Sequence, residues 1–291
     1  MPERDGYIPG VPCWTDTGQA DPGAAAEFYG KLFGWELQDV MPPGAGPYLV
    51  ARIRGGDVTA ITQPEESGSP ASWRTYIRVE RADDTAERVR AAGGTVVAEP
   101  FDAGDAGRMA VFADREGALF RVWEPKQHQG ARVVNEHGSV NFNSLHTRDP
   151  EQAKPFYRAV FGWDTLELGP GMSMWTQPGY GDHLEASAPG LRAQMAELGA
   201  PPRFEDVVAS LVPCQGDESP HWSVTFAVDD ADGIAQRAAE LGGEVTVAPF
   251  DAPWVRTTVI TDPQGASFIA SKFVPENKDL LTAGAASQAA A

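Results

Sequence analysis

The sequence predicts an α+β protein built as a tandem duplication, with two βαβββ modules in each half. Three observations predict it. The segment Tyr29-Gly-Lys-Leu-Phe-Gly-Trp35 recurs 128 residues later as Tyr157-Arg-Ala-Val-Phe-Gly-Trp163. A second set, Gly93-Gly94, Pro100-Phe-Asp-Ala103 and Gly117-Ala118, recurs as Gly242-Gly243, Pro249-Phe-Asp-Ala252 and Gly265-Ala266, now 148 or 149 residues apart. Within each copy, a strand and a helix of about ten residues are followed by short strands separated by Gly and Pro, and the pattern then repeats.

The first copy opens with an expected strand over 11–17. A helix follows from Pro22 to Phe33, because Asp21 can cap its start, Pro22 suits the first helical position and Gly34 suits a left-handed stop. Alternation then predicts strands over 35–40, 48–54 and 58–63. The second module is predicted as a strand over 72–79, a helix over about 84–92, and strands over 95–98, 109–113 and 119–124. The second copy follows the same order, with its first helix capped by Asp149-Pro150 and stopped by Gly162. Pro155 is expected to kink that helix or shorten its start. A strand is expected near His183–Ala186. The growth in offset assigns about 21 extra residues to the second copy, placed near 191–214 as a loop or small helix. The domains are thus expected at 1–128 and 129–277, with the Ala-, Gly- and Ser-rich tail 278–291 disordered.

Two domains fit 291 residues, and hydrophobic residues at 42% with charged residues at 22% suit packed cores. Asp and Glu outnumber Lys and Arg by 41 to 23, a net charge of -18 that repels nucleic-acid phosphate and anionic lipid. Neither is an expected partner. No apolar run reaches the roughly 18 residues of a membrane helix, and residues 1–10 lack the apolar centre of a signal peptide, so the cytoplasm is expected. Cys13 and Cys214 are too few for a disulfide framework and lack zinc-finger spacing. No Gly-x-Ser-x-Gly, dinucleotide or phosphate-loop pattern is present.

The repeated Asp-Pro-x-x-Ala-x-x-Phe-Tyr…Phe-Gly-Trp, the strand-ending Asp-x-x-Gly-Ala and the paired βαβββ modules resemble the vicinal-oxygen-chelate superfamily, which includes glyoxalases, extradiol dioxygenases and bleomycin-binding resistance proteins. The resemblance covers about residues 8 to 274. It is nearest to the tandem actinobacterial branch, on Pro100-Phe-Asp-Ala-Gly-Asp-Ala-Gly-Arg-Met109 and Gly130-Ala-Arg-Val-Val-Asn-Glu136. It implies that the eight strands of each domain curl into a cup that holds the ligand. Metal-dependent members place His and Glu on the first and last strands of the modules. Those places fall on Trp14, Arg74 and Arg121 in the first half and on Phe142, Ser223 and Ile269 in the second. An arginine has no lone pair to donate, so no metal and no cofactor are expected. His183 and Glu185, with the i, i+2 spacing of one strand face, and His221 remain a weaker metal alternative for the second cup. His128, His137 and His146 read as loop or strand-end residues.

Strand parity supplies the expected cup linings. On 72–79, Trp73, Thr75, Ile77 and Val79 form the face that meets the helices, leaving Arg74 and Tyr76 in the cup. The same count places Trp14, Asp16, Arg121 and Trp123 beside them. The second cup is expected to offer Phe142, Ser144, His221, Ser223, Thr225, Ile269 and Ser271, with Trp175 and Trp254 nearby. Aromatic walls with a few fixed polar groups suit a flat conjugated ligand. The expected function is therefore non-catalytic, metal-free binding or sequestration of a planar aromatic small molecule. The resemblance implies an anthracycline-like or other aromatic polyketide compound, in its biosynthesis or in self-resistance. Two alternatives stand: a metal-free hydroxylase, cyclase or isomerase using Asp16 or Tyr76, and a glyoxalase- or dioxygenase-type metalloenzyme. A pathway enzyme is a further conceivable partner, and the chain is expected as a monomer or homodimer.

Overall fold

The computed structural model describes residues 3–66, 68–169 and 172–280. The first half contains β1 (Pro12–Gly18), α1 (Pro22–Phe33), β2 (Glu36–Asp39), β3 (Tyr48–Ile53) and β4 (Gly56–Thr62). It continues with β5 (Ser72–Arg78), α2 (Ala82–Ala91), β6 (Thr95–Ala103), β7 (Gly107–Ala113) and β8 (Leu119–Pro125). The second half repeats this as β9 (Val140–Thr147), α3 (Pro150–Phe161), β10 (Asp164–Gly169) and β11 (Met172–Thr176). Two added helices follow, α4 (Tyr180–Ser187) and α5 (Leu191–Glu197), then a 3-10 turn at Phe204–Asp206 and β12 (Val207–Pro213). The last module is β13 (His221–Ala227), α6 (Ala231–Glu240), β14 (Glu244–Ala252), β15 (Val255–Thr261) and β16 (Ser267–Phe273). A 3-10 turn at Pro275–Asp279 closes it; most of the tail expected to be disordered lies outside the described residues.

Each half forms one mixed, open eight-stranded sheet, in the orders β2-β3-β4-β1-β5-β8-β7-β6 and β10-β11-β12-β9-β13-β16-β15-β14. The modules therefore close within each half, through the antiparallel pairs β1–β5 and β9–β13. The capping chemistry behaves as the sequence predicts. Asp21 and Asp149 accept from the Ala24 and Gln152 amides, and Gly34 and Gly162 stop their helices at φ of 73° and 78°. Pro155 sits inside α3 without shortening it, since α1 and α3 both have 12 residues. The carbonyl its ring leaves without a donor belongs to exposed Glu151, where water can serve it.

The strand expected near His183 is instead helix α4, and the strand that completes the third module is β12, beyond the added helices. Short local alternation cannot separate the two cases, whereas the parallel pairing of β12 with β9 decides it. No helix among the described residues is long and apolar enough to cross a membrane.

The opening helices lie between the halves and pack against both sheets. Tyr29 and Phe33 of α1 pack against Phe226 and Phe268 of the second sheet, and Phe156 and Tyr157 of α3 pack against Phe120 of the first. Buried hydrogen bonds fix both contacts in the same way. Tyr29 donates to Asp262 (2.8 Å) while accepting from the Trp73 indole, and Tyr157 donates to Asp114 (3.0 Å) while accepting from the Trp222 indole. Trp35 donates to the Gly138 carbonyl and Trp163 to the Gly10 carbonyl, each 2.7 Å and each across the halves. Between the sheets, Thr75 of β5 donates to Asn143 of β9 at 2.8 Å.

Because both cores are shared, unfolding is expected as one transition. Tyr29→Phe leaves the buried Trp73 N–H without its acceptor and takes one donor from Asp262, costing about 1–3 kcal/mol. Chemical denaturation followed by tryptophan fluorescence and by circular dichroism checks both points; two separable transitions would contradict the shared cores.

Candidate functional site

In the first cup the expected residues come together, and they fill it. Asp16 on β1 stands opposite Arg74 on β5, and Tyr76 stands opposite Arg121 on β8. Tyr76 donates to Asp16 Oδ2 at 2.6 Å, Tyr48 approaches the same oxygen at 3.4 Å, and Arg74 reaches Oδ1 at 3.4 Å. Arg121 binds Glu65 at 2.6 Å and lies over the Tyr76 ring. The Trp14 indole donates to Tyr48 at 2.9 Å, and His128 wedges edge-on against Trp14 and Trp123. Packing leaves little slack, because a Cβ at Gly107 would meet the Trp123 ring at 2.4 Å.

Electrostatics agree with a closed, structural cluster. Burial, and then the Asp16 charge, push the Tyr48 and Tyr76 hydroxyls well above the usual phenol range, so both serve as donors. Burial opposes ionisation of Glu65, yet the facing Arg121 holds its carboxyl below the usual range. Burial lowers His128 and keeps its ring neutral between the indoles. Tyr48 and Glu65 escaped the sequence reading because they lie on an outer strand and on a loop, where parity counted from the central strands does not reach.

The second cup is open. A cavity of about 560 Å³ lies over β9, β11, β12, β13, β15 and β16. The duplication explains the contrast. Where the first half has Trp14, Asp16, Arg74, Tyr76, Arg121 and Trp123, the second has Phe142, Ser144, Ser223, Thr225, Ile269 and Ser271. The pairings match, with Ser144 opposite Ser223 and Thr225 opposite Ile269. Five of these six line the cavity, Ser223 being the exception, and most are far smaller than their counterparts. The added helices roof it with Leu184, Met195 and Leu198, and Met172 and Met174 come from β11. The amino-terminal segment contributes Arg4 and Tyr7, and β1 of the first half reaches the cavity with Trp14 and Thr15.

Trp254 lines the cavity at the β14–β15 turn, held at a φ of 69° with its ring parallel to Phe273. A left-handed backbone at a bulky residue is costly, so the turn aims this ring at some expense of stability. Trp175 does not reach the cavity; it is fully buried against Tyr157 and Trp163. His221 and Ser223 lie beyond its wall at the rim, with His146 and Glu218. His183 and Glu185 do not form the strand pair considered for a metal, because on helix α4 a spacing of two points them apart. Glu185 instead accepts from the Gly190 and Arg192 amides.

The positions at which the resemblance implies a metal do not fit one in either half. Indole, phenyl, guanidinium and sec-butyl groups offer no ligand, and Ser223 alone is a weak one.

A mixed cup of paired βαβββ modules, one filled and one open, defines a class, and the family comparison agrees. The chain belongs to the Glyoxalase/Bleomycin resistance protein/Dioxygenase superfamily, whose model matches residues 17–122 and 139–269. It is 38% identical over 285 residues to CFP32 of Mycobacterium tuberculosis (strain CDC 1551 / Oshkosh), provisionally named a glyoxylase, covering 95% of this chain and 100% of that protein. It is 37% identical over 276 residues to the anthracycline biosynthesis protein DauV of Streptomyces sp. (strain C5), covering 90% and 93%. Among solved structures, the Mn(II)-bound glyoxalase from Novosphingobium aromaticivorans shares the fold, with a TM-score of 0.59, 17% identity and coverage of 90% and 82%.

Asp16→Ala is expected to destabilise the protein by about 3–5 kcal/mol, because it leaves buried Arg74 without its carboxylate. Thermal unfolding measures this; a change below about 1 kcal/mol would mean that the cluster is solvated after all.

Proposed function

We propose that the protein binds a planar aromatic small molecule, of the anthracycline or related aromatic polyketide kind, in the cavity of its second half, and binds it without chemical turnover. The observation that carries this reading is the cavity. Its volume falls within the roughly 300–1,000 Å³ of small-molecule sites, its walls are mainly apolar, and Ser144, Thr225 and Ser271 stand ready to orient a ligand. Trp254 and Phe142 give flat faces for stacking, and the three methionines adapt to an irregular outline. Similarity to DauV supports the ligand class. The net charge of -18 favours a ligand that carries an amine.

Binding without turnover rests on the groups that line the cavity. Its two charged side chains, Arg4 and Glu205, are both engaged, with Tyr180 and with Arg192. The Asp16 and Tyr76 pair considered for acid–base work is locked in the other half. The name of DauV, a biosynthesis protein, favours one second reading, an enzyme acting on the same ligand in the same cavity. Conversion of a bound aromatic polyketide by chelator-treated protein would establish that reading instead.

Titration with a panel of aromatic polyketides is expected to quench tryptophan fluorescence. Trp254→Ala should weaken binding at least about tenfold, the loss of one stacked ring with its buried area. Thr225→Tyr, which installs the first-half residue at the equivalent place, should abolish binding while the fold persists. Asp16→Asn should leave affinity unchanged. Equal affinity of the parent and Thr225→Tyr would remove the cavity from consideration.

A further inference from the structure

We propose that His146, His221 and Glu218 form a site for one divalent transition-metal ion of borderline character, Zn2+, Co2+ or Ni2+, at the rim of the second cup. One donor atom from each residue lies within 4.8 Å of the others. His146 and His221 stand directly opposite each other on β9 and β13, both on the cup face that carries Ser144 and Ser223. Glu218 arrives from the loop before β13 and brings Oε1 to 2.8 Å from His146 Nδ1 and 3.7 Å from His221 Nδ1.

The site is distinct from the positions that the family resemblance implies. His146 lies four residues beyond Phe142, and His221 two residues before Ser223. Since β9 and β13 run antiparallel, both displacements go toward the same end of the cup. A replacement of ligands in place would have kept the old positions; here the donors sit one or two inward-facing places away.

The surroundings prepare the donors. His146 Nδ1 is buried yet has no well-formed hydrogen bond, despite the nearby carboxylate. Its other nitrogen lies 3.1 Å from Ser223 Oγ, which can fix the ring as the hydrogen-bond partners of metal-bound imidazoles do. Glu218 Oε2 accepts from the Gln215 amide at 2.9 Å, leaving Oε1 for the imidazoles. Arg148 bonds to the Glu218 carbonyl and not to its carboxylate, so the negative charge is not spent on it.

The two imidazoles now stack at 4.4 Å with 16° between their planes, so their lone pairs do not converge. A tetrahedral ion with bonds of about 2.0–2.1 Å needs donors roughly 3.3 Å apart. Rotation of His221, whose side chain is 46% exposed, supplies that movement by giving up the 2.9 Å contact of its Nδ1 with the Ser219 carbonyl, without disturbing the core. Two imidazoles and one carboxylate select borderline ions over Mg2+ and Ca2+, and leave a fourth position for water.

The experiment uses the full chain stripped with chelator and then titrated with Co2+, followed by visible absorption, with Zn2+ uptake measured by elemental analysis after gel filtration. Expected is stoichiometric uptake with the strong d–d bands of low-coordinate Co2+, displaced by Zn2+. His221→Ala should abolish it, and Ser223→Ala should weaken it about tenfold. His137→Ala, at a half-buried histidine elsewhere, should leave it unchanged. Failure of the parent to take up an ion, or uptake undiminished in His221→Ala, would overturn the proposal. Binding of an aromatic ligand measured in chelator reports on the cavity alone, so the two readings fail separately.

Discussion

The sharing of the opening helices between the two halves is the constraint on which the rest of the structure depends. An isolated half would expose the apolar back of its sheet and the aromatic face of its first helix. Pairing the halves covers both surfaces at once, and the Tyr29–Asp262 and Tyr157–Asp114 bonds make each seal depend on a residue of the partner half. Buried carboxylates of this kind cost desolvation that well-directed donors must offset, which makes the register of the two halves specific as well as stable. With the sheet backs committed to this contact, only the concave faces remain for a ligand.

Duplication then allowed the two concave faces to diverge. One fills itself with a neutralising network of two arginines, Asp16 and Glu65 among aromatic rings. The other replaces most of the same positions with small residues and roofs the resulting space with α4 and α5. A filled cup beside an open one distributes the work: the first half is a buttress, and the second holds the space. The added residues matter for this reason, since without α4 and α5 the apolar strands β11 and β12 would face water on the cup side.

Much of the architecture was legible in the chain. Asp-Pro starts and Gly stops are local signals, and they govern the helix ends whatever surrounds them. The tandem repeat exposed the duplication because both copies obey the same packing rule at Phe-Gly-Trp. Strand parity correctly grouped Asp16, Arg74, Tyr76 and Arg121, since side chains alternate on any pleated strand. What parity could not supply was whether the grouped side chains leave room between them. His146 illustrates the same gap: its parity matched that of Phe142 and Ser144, yet nothing local pointed to Glu218, which approaches from a loop.

The sequence by itself determined the duplicated α+β plan, the helix boundaries at Asp21, Gly34, Asp149 and Gly162, and the inward face of each central strand, because these follow from interactions within a few residues. Tertiary structure alone decided that α4 is a helix where a strand was expected, that Trp175 belongs to the core and Trp254 to the cavity, and that one cup is full while the other is open. These depend on volumes and contacts between segments more than a hundred residues apart, for which no short stretch of chain carries a signal.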